Sequence, residues 1–305
     1  MRFVTFATPS DSRPRTGVLL DGDSVLDLGA LAAGDPAAED QWGVDLVELI
    51  AAGQPALAWV RSQLGAPRAA VTIAPGDYRL LAPIPRPRKN VFCVGLNYRD
   101  HVAEHDREGQ PTRALPTTPI FFTKPPTAVI ACDDEIPWHP ATSKLDYEIE
   151  LAVVIGSAGR DIPAERAWDH IFGYTIINDV SARDLQMGHG GQWFKGKALD
   201  GACPMGPALV HRSAVPDADQ LDFVCRVNDE VRQQSNTSLM IFDIPTLIQS
   251  LSAGMTLEPG DIIATGTCSG VGSGFEPPRF LGDGDLVEMT IAKLGTLRNR
   301  VRRVK

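Results

Sequence analysis

Between residues 66 and 89 the chain carries Pro67, Pro75, Pro83, Pro85 and Pro87, and this spacing constrains the fold more than any other feature. Each proline removes a backbone donor and clashes with a preceding helical turn, so no long helix can run through the stretch. It reads as a connector over 66–89, between a small leading module, 1–65, and a larger part, 90–305. Within the leading module, residues 2–7 alternate as an edge strand does, and an Asp21-Gly22-Asp23 turn lies between apolar runs over 18–28. Residues 45–52 and 55–64 are bounded by Gly or Pro and predict two short helices, completing a small α/β module.

Beyond the connector, short apolar or alternating runs at 90–96, 120–123, 147–155, 173–178, 221–227, 261–265 and 285–291 predict strands. Helical patterns are fewer, at 164–170, 181–187 and 244–253. No repeat of 20 to 50 residues and no low-complexity tract is present. The fold class expected is α+β, β-rich, with a mixed sheet.

Composition excludes several function classes. A hydrophobic share of 43% with 22% charged residues is ordinary for a globular protein. No apolar run approaches the roughly 20 residues that span a bilayer, so no membrane partner is expected. The net charge of -9 argues against nucleic acid, whose phosphates need a concentrated positive field. The basic residues over 298–305 read as a solvated terminal strand. Five scattered cysteines, Cys93, Cys132, Cys203, Cys225 and Cys268, form no C-x-x-C pair and suit small buried residues in a reducing compartment. With no secretory pattern over 1–7, the expectation is a cytoplasmic protein.

The chemistry concentrates in Leu145-Asp-Tyr-Glu-Ile-Glu150, where Glu148 and Glu150 interrupt an apolar strand. Residues i and i+2 of a strand share a face, so both carboxylates point one way while Tyr147, Ile149 and Leu151 point the other. A cation between the two carboxylates is the simplest relief of their repulsion, and the alternative is an exposed strand face with two solvated glutamates. Asp179 ends the apolar run Gly173-Tyr-Thr-Ile-Ile-Asn-Asp179 ahead of a helical pattern. It is read either as that helix's N-cap or as a third ligand at a strand-to-helix junction. Three carboxylates with no nearby histidine or cysteine pair point to a hard cation, Mg²⁺ or Mn²⁺. Lys195 and Lys197, set among Trp, Phe and Leu, either extend to solvent or serve a partner.

Together the strings Val94-Gly-Leu-Asn-Tyr-Arg-Asp-His101, Leu145-Asp-Tyr-Glu-Ile-Glu150, Asn178-Asp-Val-Ser-Ala-Arg-Asp184, Gln192-Trp-Phe-Lys-Gly-Lys197, Cys203-Pro-Met-Gly-Pro207 and Thr265-Gly-Thr267 resemble the fumarylacetoacetate hydrolase family, in the family's order from about residue 90 to 290. The resemblance implies a mixed β-roll catalytic domain, usually a homodimer, behind the small N-terminal module of bacterial members. It further implies Mg²⁺ or Mn²⁺ held at Glu148, Glu150 and Asp179, Lys197 reaching the substrate, and Thr267 in the loop that holds the substrate carboxylate. Two departures stand out. Asn97 occupies the place of an aspartate ligand of the eukaryotic enzymes, and Cys268 follows Thr267 where proline is frequent.

His101 and Glu104, three apart, share a helix face, so the carboxylate can orient the imidazole as a general base. The string His101-Val-Ala-Glu104-His105 also fits the H-x-x-E-H zinc peptidase pattern, but the polar, Gly- and Pro-broken stretch after it does not suit the long helices that pattern needs. The leading expectation is hydrolysis of a carbon–carbon bond in an acylpyruvate-type 2,4-dioxo acid, with His101 activating water and Lys197 stabilising the departing negative charge. Oxaloacetate decarboxylation and isomerisation or hydration of 2-hydroxydienoates are the alternatives within the same family. A metal-stabilised binding module without catalysis is a further one, needing the carboxylates but not the His101 and Glu104 pair.

Overall fold

The computed structural model describes residues 1–65, 69–104 and 114–304. Its largest sheet runs, in spatial order, through Thr72–Ile73, Val25–Asp27, Asp11–Leu19, Arg2–Thr8, Cys203–His211, Ile171–Asn178, Ile149–Ile155, Ile262–Ala264, Val91–Gly95 and Ile120–Lys124. The neighbours are antiparallel except Ile262–Ala264 against Val91–Gly95, which makes the sheet mixed. A second sheet holds Glu230–Asn236, Asp222–Val227, Leu286–Ile291, Gly295–Arg303 and Glu135–Trp138, the last pair parallel. The β-rich α+β fold expected from the sequence is the one observed.

Strand Ile149–Ile155 is buried along its whole length, and its alternation divides the interior in two. Ile149, Leu151 and Val153 face a core shared with Phe223, Cys225, Met289 and Leu297 of the second sheet. Ala152 and Val154 face the opposite way, onto Phe172, Met205 and Leu209 and onto Phe3, Leu49, Ile50 and Trp59 of the leading residues. Among the helices, Ile244–Ser252 shows the sequence logic most directly. Asp243 caps it by accepting from the Thr246 N–H at 2.9 Å, Pro245 occupies the first turn, and Ile244, Leu247, Ile248 and Leu251 form the buried stripe.

The stretch 66–89 does more than connect. Among its described residues Ala69–Val71 forms a short 3₁₀ turn, Thr72–Ile73 pairs with Val25–Asp27 and Arg79–Leu81 pairs with Arg2–Thr8. The helix expected over 181–187 begins at Arg183, because Ser181–Ala182 pairs with Leu145–Asp146. That small pairing brings the segment of Glu148, which lies between Leu145–Asp146 and Ile149–Ile155, to the Asp179 segment. Among the described residues, no helix is long and apolar enough to cross a membrane.

Candidate metal centre and active site

Backbone pairing assembles the three carboxylates. Ile149 lies opposite Asn178, the Asp179 N–H donates to the Glu148 carbonyl at 2.9 Å, and the Glu148 N–H donates to Asn178 Oδ1 at 3.1 Å. Glu148 and Asp179 are thereby neighbours across the strands, and Glu150 shares the Glu148 face. Glu148, Glu150 and Asp179 are all buried, each offering an oxygen within 4.8 Å of the others. Asp179 is not a helix cap, since Ala182 occupies the N-cap of Arg183–Gly188.

The cluster is closely countercharged. Lys197 Nζ stands 2.7 Å from both Glu148 Oε2 and Asp179 Oδ2, so its ammonium contacts the carboxylates directly. Arg183 reaches Glu148 Oε1 at 2.6 Å and Asp146 Oδ2 at 2.8 Å, and Lys124 lies 2.7 Å from Asp179 Oδ1. Burial alone raises a carboxyl pKa, but at Glu148 the positive charges of Lys197 and Arg183 outweigh it and hold the group far below the usual range. At Lys197 burial pulls downward, and Asp179 and Glu148 reverse it, keeping the amine protonated. Glu150 behaves differently. Burial first, then the negative charges of Asp179 and Glu148, push its pKa well above the carboxylate range, and among the described residues no ion pair reaches it. Among the described residues its Oε2 accepts only the Gly266 N–H, at 2.9 Å. A buried carboxyl in this position must carry a proton or face a cation, and an all-oxygen set of three suits a hard divalent ion.

A cavity of about 260 Å³ opens onto this centre, lined in part by His101, Phe122, Gln186, Trp193 and Thr267 together with Glu148, Glu150, Arg183 and Lys197. His101 lies in the short helix Arg99–Ala103, its Nδ1 bonded to Glu104 Oε1 as the spacing of three predicts. Glu104 Oε2 accepts the Gly270 N–H at 2.8 Å, and Asp100 Oδ2 accepts from the Ser269 hydroxyl at 2.8 Å. The two acids clip the helix to the loop after Thr267. Thr267 donates its hydroxyl hydrogen to the Ile149 carbonyl and accepts from Gln233 Nε2, each at 2.8 Å. Lys195 is exposed, and so is His189, whose Nδ1 bonds the Leu185 carbonyl at 2.8 Å. His105, required by the zinc peptidase pattern, lies outside the described residues.

The structure also explains the two departures. Asn97 donates to the Phe242 carbonyl at 3.1 Å and the Thr265 carbonyl at 2.8 Å, and its Oδ1 accepts the Phe242 N–H at 2.8 Å. It is a structural clamp outside the carboxylate triad, and its two donated bonds require an amide. Gln233 Nε2 donates to the Cys268 carbonyl at 2.9 Å, which fixes the loop.

Residues 90–302 match the sequence model of the family described as Fumarylacetoacetate (FAA) hydrolase C-terminal. The chain belongs to the fumarylacetoacetate hydrolase family. Among its members, the chain is 54% identical to oxaloacetate tautomerase YisK of Bacillus subtilis (strain 168) over 226 residues, 74% of this chain and 73% of that one. It is 42% identical to the mitochondrial oxaloacetate tautomerase FAHD2A of Bos taurus over 308 residues, 99% of this chain and 91% of that one. A solved member, maleylpyruvate hydrolase from Sphingobium sp. SYK-6 in complex with manganese (II) ion and pyruvate, superposes with a TM-score of 0.78 at 31% identity, covering both chains fully. The buried triad fits the divalent metal site of this family. Hydrolases, isomerases and tautomerases all occur within it, so membership establishes an enzyme family without fixing the reaction.

Sequence reasoning singled out Glu148, Glu150, Asp179, Lys197, His101, Glu104 and Thr267, and the structure brings all seven around one centre. It missed Lys124, Asp146, Arg183 and Gln233. Arg183 lay within a recognised string and was readable as a countercharge to the acids. Asp146 also lay within a recognised string, and nothing local marks Lys124 or Gln233.

Proposed function

We propose that the protein is a divalent-metal-dependent tautomerase of an oxaloacetate-type 2-oxo diacid, interconverting its enol and keto forms. The reading rests on one observation above all: His101, supported by Glu104, lines the same small cavity as Glu148 and Glu150 of the buried carboxylate triad. The tautomerase activity named for relatives that cover most of this chain favours it over the hydrolysis expected first. Glu148, Glu150 and Asp179 would hold a divalent cation, which would supply Lewis acidity toward the 2-oxo acid. With Nδ1 engaged by Glu104, His101 moves a proton through Nε2 between the 2-oxygen and the carbon beside it, so that the O–H bond of the enol is broken as the C–H bond of the keto form is made, and the reverse. Lys197 and Arg183 place positive charge beside a dianionic substrate, and Phe122 and Trp193 exclude water. No water need be positioned and no carbon–carbon bond breaks. That is the minimum these residues can carry out.

The second reading, hydrolysis of an acylpyruvate, is kept because the manganese-containing neighbour is a maleylpyruvate hydrolase. The two readings give His101 different protons to move, one from water in hydrolysis and a carbon-bound one in tautomerisation, and one experiment separates them. Decay of the enol absorbance of oxaloacetate is followed beside cleavage of an acylpyruvate, with Mg²⁺ or Mn²⁺ present and after chelation. The expected result is metal-dependent tautomerisation, lowered roughly 10²- to 10⁴-fold in His101→Ala and less in Glu104→Gln, without comparable cleavage. Efficient acylpyruvate cleavage with tautomerisation at the uncatalysed rate overturns the tautomerase reading.

A further inference from the structure

Lys124 ends strand Ile120–Lys124 and is wholly buried. Its Nζ lies 2.9 Å from the Val180 carbonyl, 2.6 Å from that of Lys197 and 2.7 Å from that of Ala202, with Asp179 Oδ1 also at 2.7 Å. An ammonium has three hydrogens, and here the three carbonyls take them. The contact with Asp179 Oδ1 is an ion pair outside hydrogen-bond geometry, so this oxygen receives positive charge while the three carbonyls take the hydrogens. Oδ2 of the same carboxylate is occupied by Lys197.

The three carbonyls belong to separate segments. Val180 follows Asp179, Lys197 ends the short helix Phe194–Lys197, and Ala202 precedes strand Cys203–His211. A buried ammonium without partners is costly, and so is each carbonyl left without a donor, so these segments and Lys124 hold one another in place. The same strand also acts on the other end of Lys197, whose Nζ lies 5.1 Å from the centre of the Phe122 ring. We propose that Lys124 is a positioning residue of the metal centre. It fixes Asp179 and the Lys197 backbone as one unit and keeps Asp179 Oδ1 open as a ligand oxygen. The inference rests on the triad being the metal site and not on which reaction follows.

Mn²⁺ binding to metal-free protein, measured by calorimetry, tests it without reference to activity. For Lys124→Met, which has similar length and no charge, positioning predicts at least a tenfold weaker Mn²⁺ affinity in folded protein. If Lys124 acts only as a positive charge near the cation, its removal tightens Mn²⁺ binding. If it is merely structural, the melting temperature falls while the affinity of the folded protein is unchanged. Either outcome overturns the proposal. Should Lys124→Met fail to fold, Lys124→Met combined with Asp179→Asn is expected to fold, because the part of the buried carboxylate charge that Lys124 offsets is gone. An unfolded double variant beside a folded Asp179→Asn single variant overturns the link to Asp179. Absence of Mn²⁺ binding in the unsubstituted protein instead brings down the metal reading of the triad.

Discussion

Asn97 and Asp179 differ by little chemically, yet the fold uses them for opposite purposes. Asp179 is an acceptor held between two lysines, whereas Asn97 must donate twice and accept once to join Phe242 and Thr265. A carboxylate at position 97 loses both donors and faces two carbonyl oxygens in a buried site. Asn97→Asp is therefore expected to destabilise the protein by about 1–3 kcal/mol or more, the cost of buried polar groups left unsatisfied. It should not create a fourth metal ligand. Denaturant unfolding and the Mn²⁺ stoichiometry check this, and a tighter site with unchanged stability contradicts the clamp.

At the scale of elements, the loop from Thr265 to Gly274 links the base to the metal centre. The Gly266 N–H holds Glu150, the Gly270 N–H holds Glu104, and the Gly270 carbonyl accepts from the Tyr147 hydroxyl at 3.0 Å. Gly270 has φ +96°, and a Cβ there would lie 1.9 Å from the Arg232 carbonyl oxygen. Gly270→Ala must shift the loop and loosen Glu104. Turnover is expected to fall by roughly the hundredfold that a misplacement near 1 Å can cost, with Mn²⁺ affinity little changed, because the triad's strands are untouched. Kinetics and calorimetry on one preparation check the separation. The same elements show what a sequence can disclose. Glu148 and Glu150 were legible because a strand's period of two places them on one face. His101 and Glu104 were legible through helical spacing. Their convergence was not, since it depends on which strands pair and in which register. Lys124 fell just beyond the strand expected over 120–123, and its partners, Asp179, Val180, Lys197 and Ala202, are all distant in sequence. Strand Cys203–His211 was hidden by Pro204, Gly206 and Pro207, which the sheet accommodates where its register shifts opposite Tyr174 and Ile176. Strand Glu230–Asn236 was hidden by polarity, because as a sheet edge it needs little apolar alternation.

Across the whole molecule, the division drawn from the prolines meets a sheet that runs through it. Arg2–Thr8 pairs with Cys203–His211, and one apolar cluster contains Phe3, Leu49, Ile50 and Trp59 beside Phe172, Ile177, Met205 and Leu209. We propose that residues 1–65 serve as part of the catalytic domain's core and not as a unit that folds by itself. The magnitudes support this. Uncovering Phe172, Ile177, Met205 and Leu209 forfeits about 1.5–3 kcal/mol for each side chain fully exposed. The total approaches the 5–15 kcal/mol by which a domain of ordinary stability stays folded. The sheet would also gain an unpaired edge at Cys203–His211, an invitation to association. A chain of residues 90–305 is therefore expected to show no cooperative thermal transition and to aggregate, whereas the full chain unfolds in one main step. Calorimetry and light scattering on the two chains decide it, and a cooperative transition with Mn²⁺ binding in 90–305 alone would restore the leading residues as a separable module.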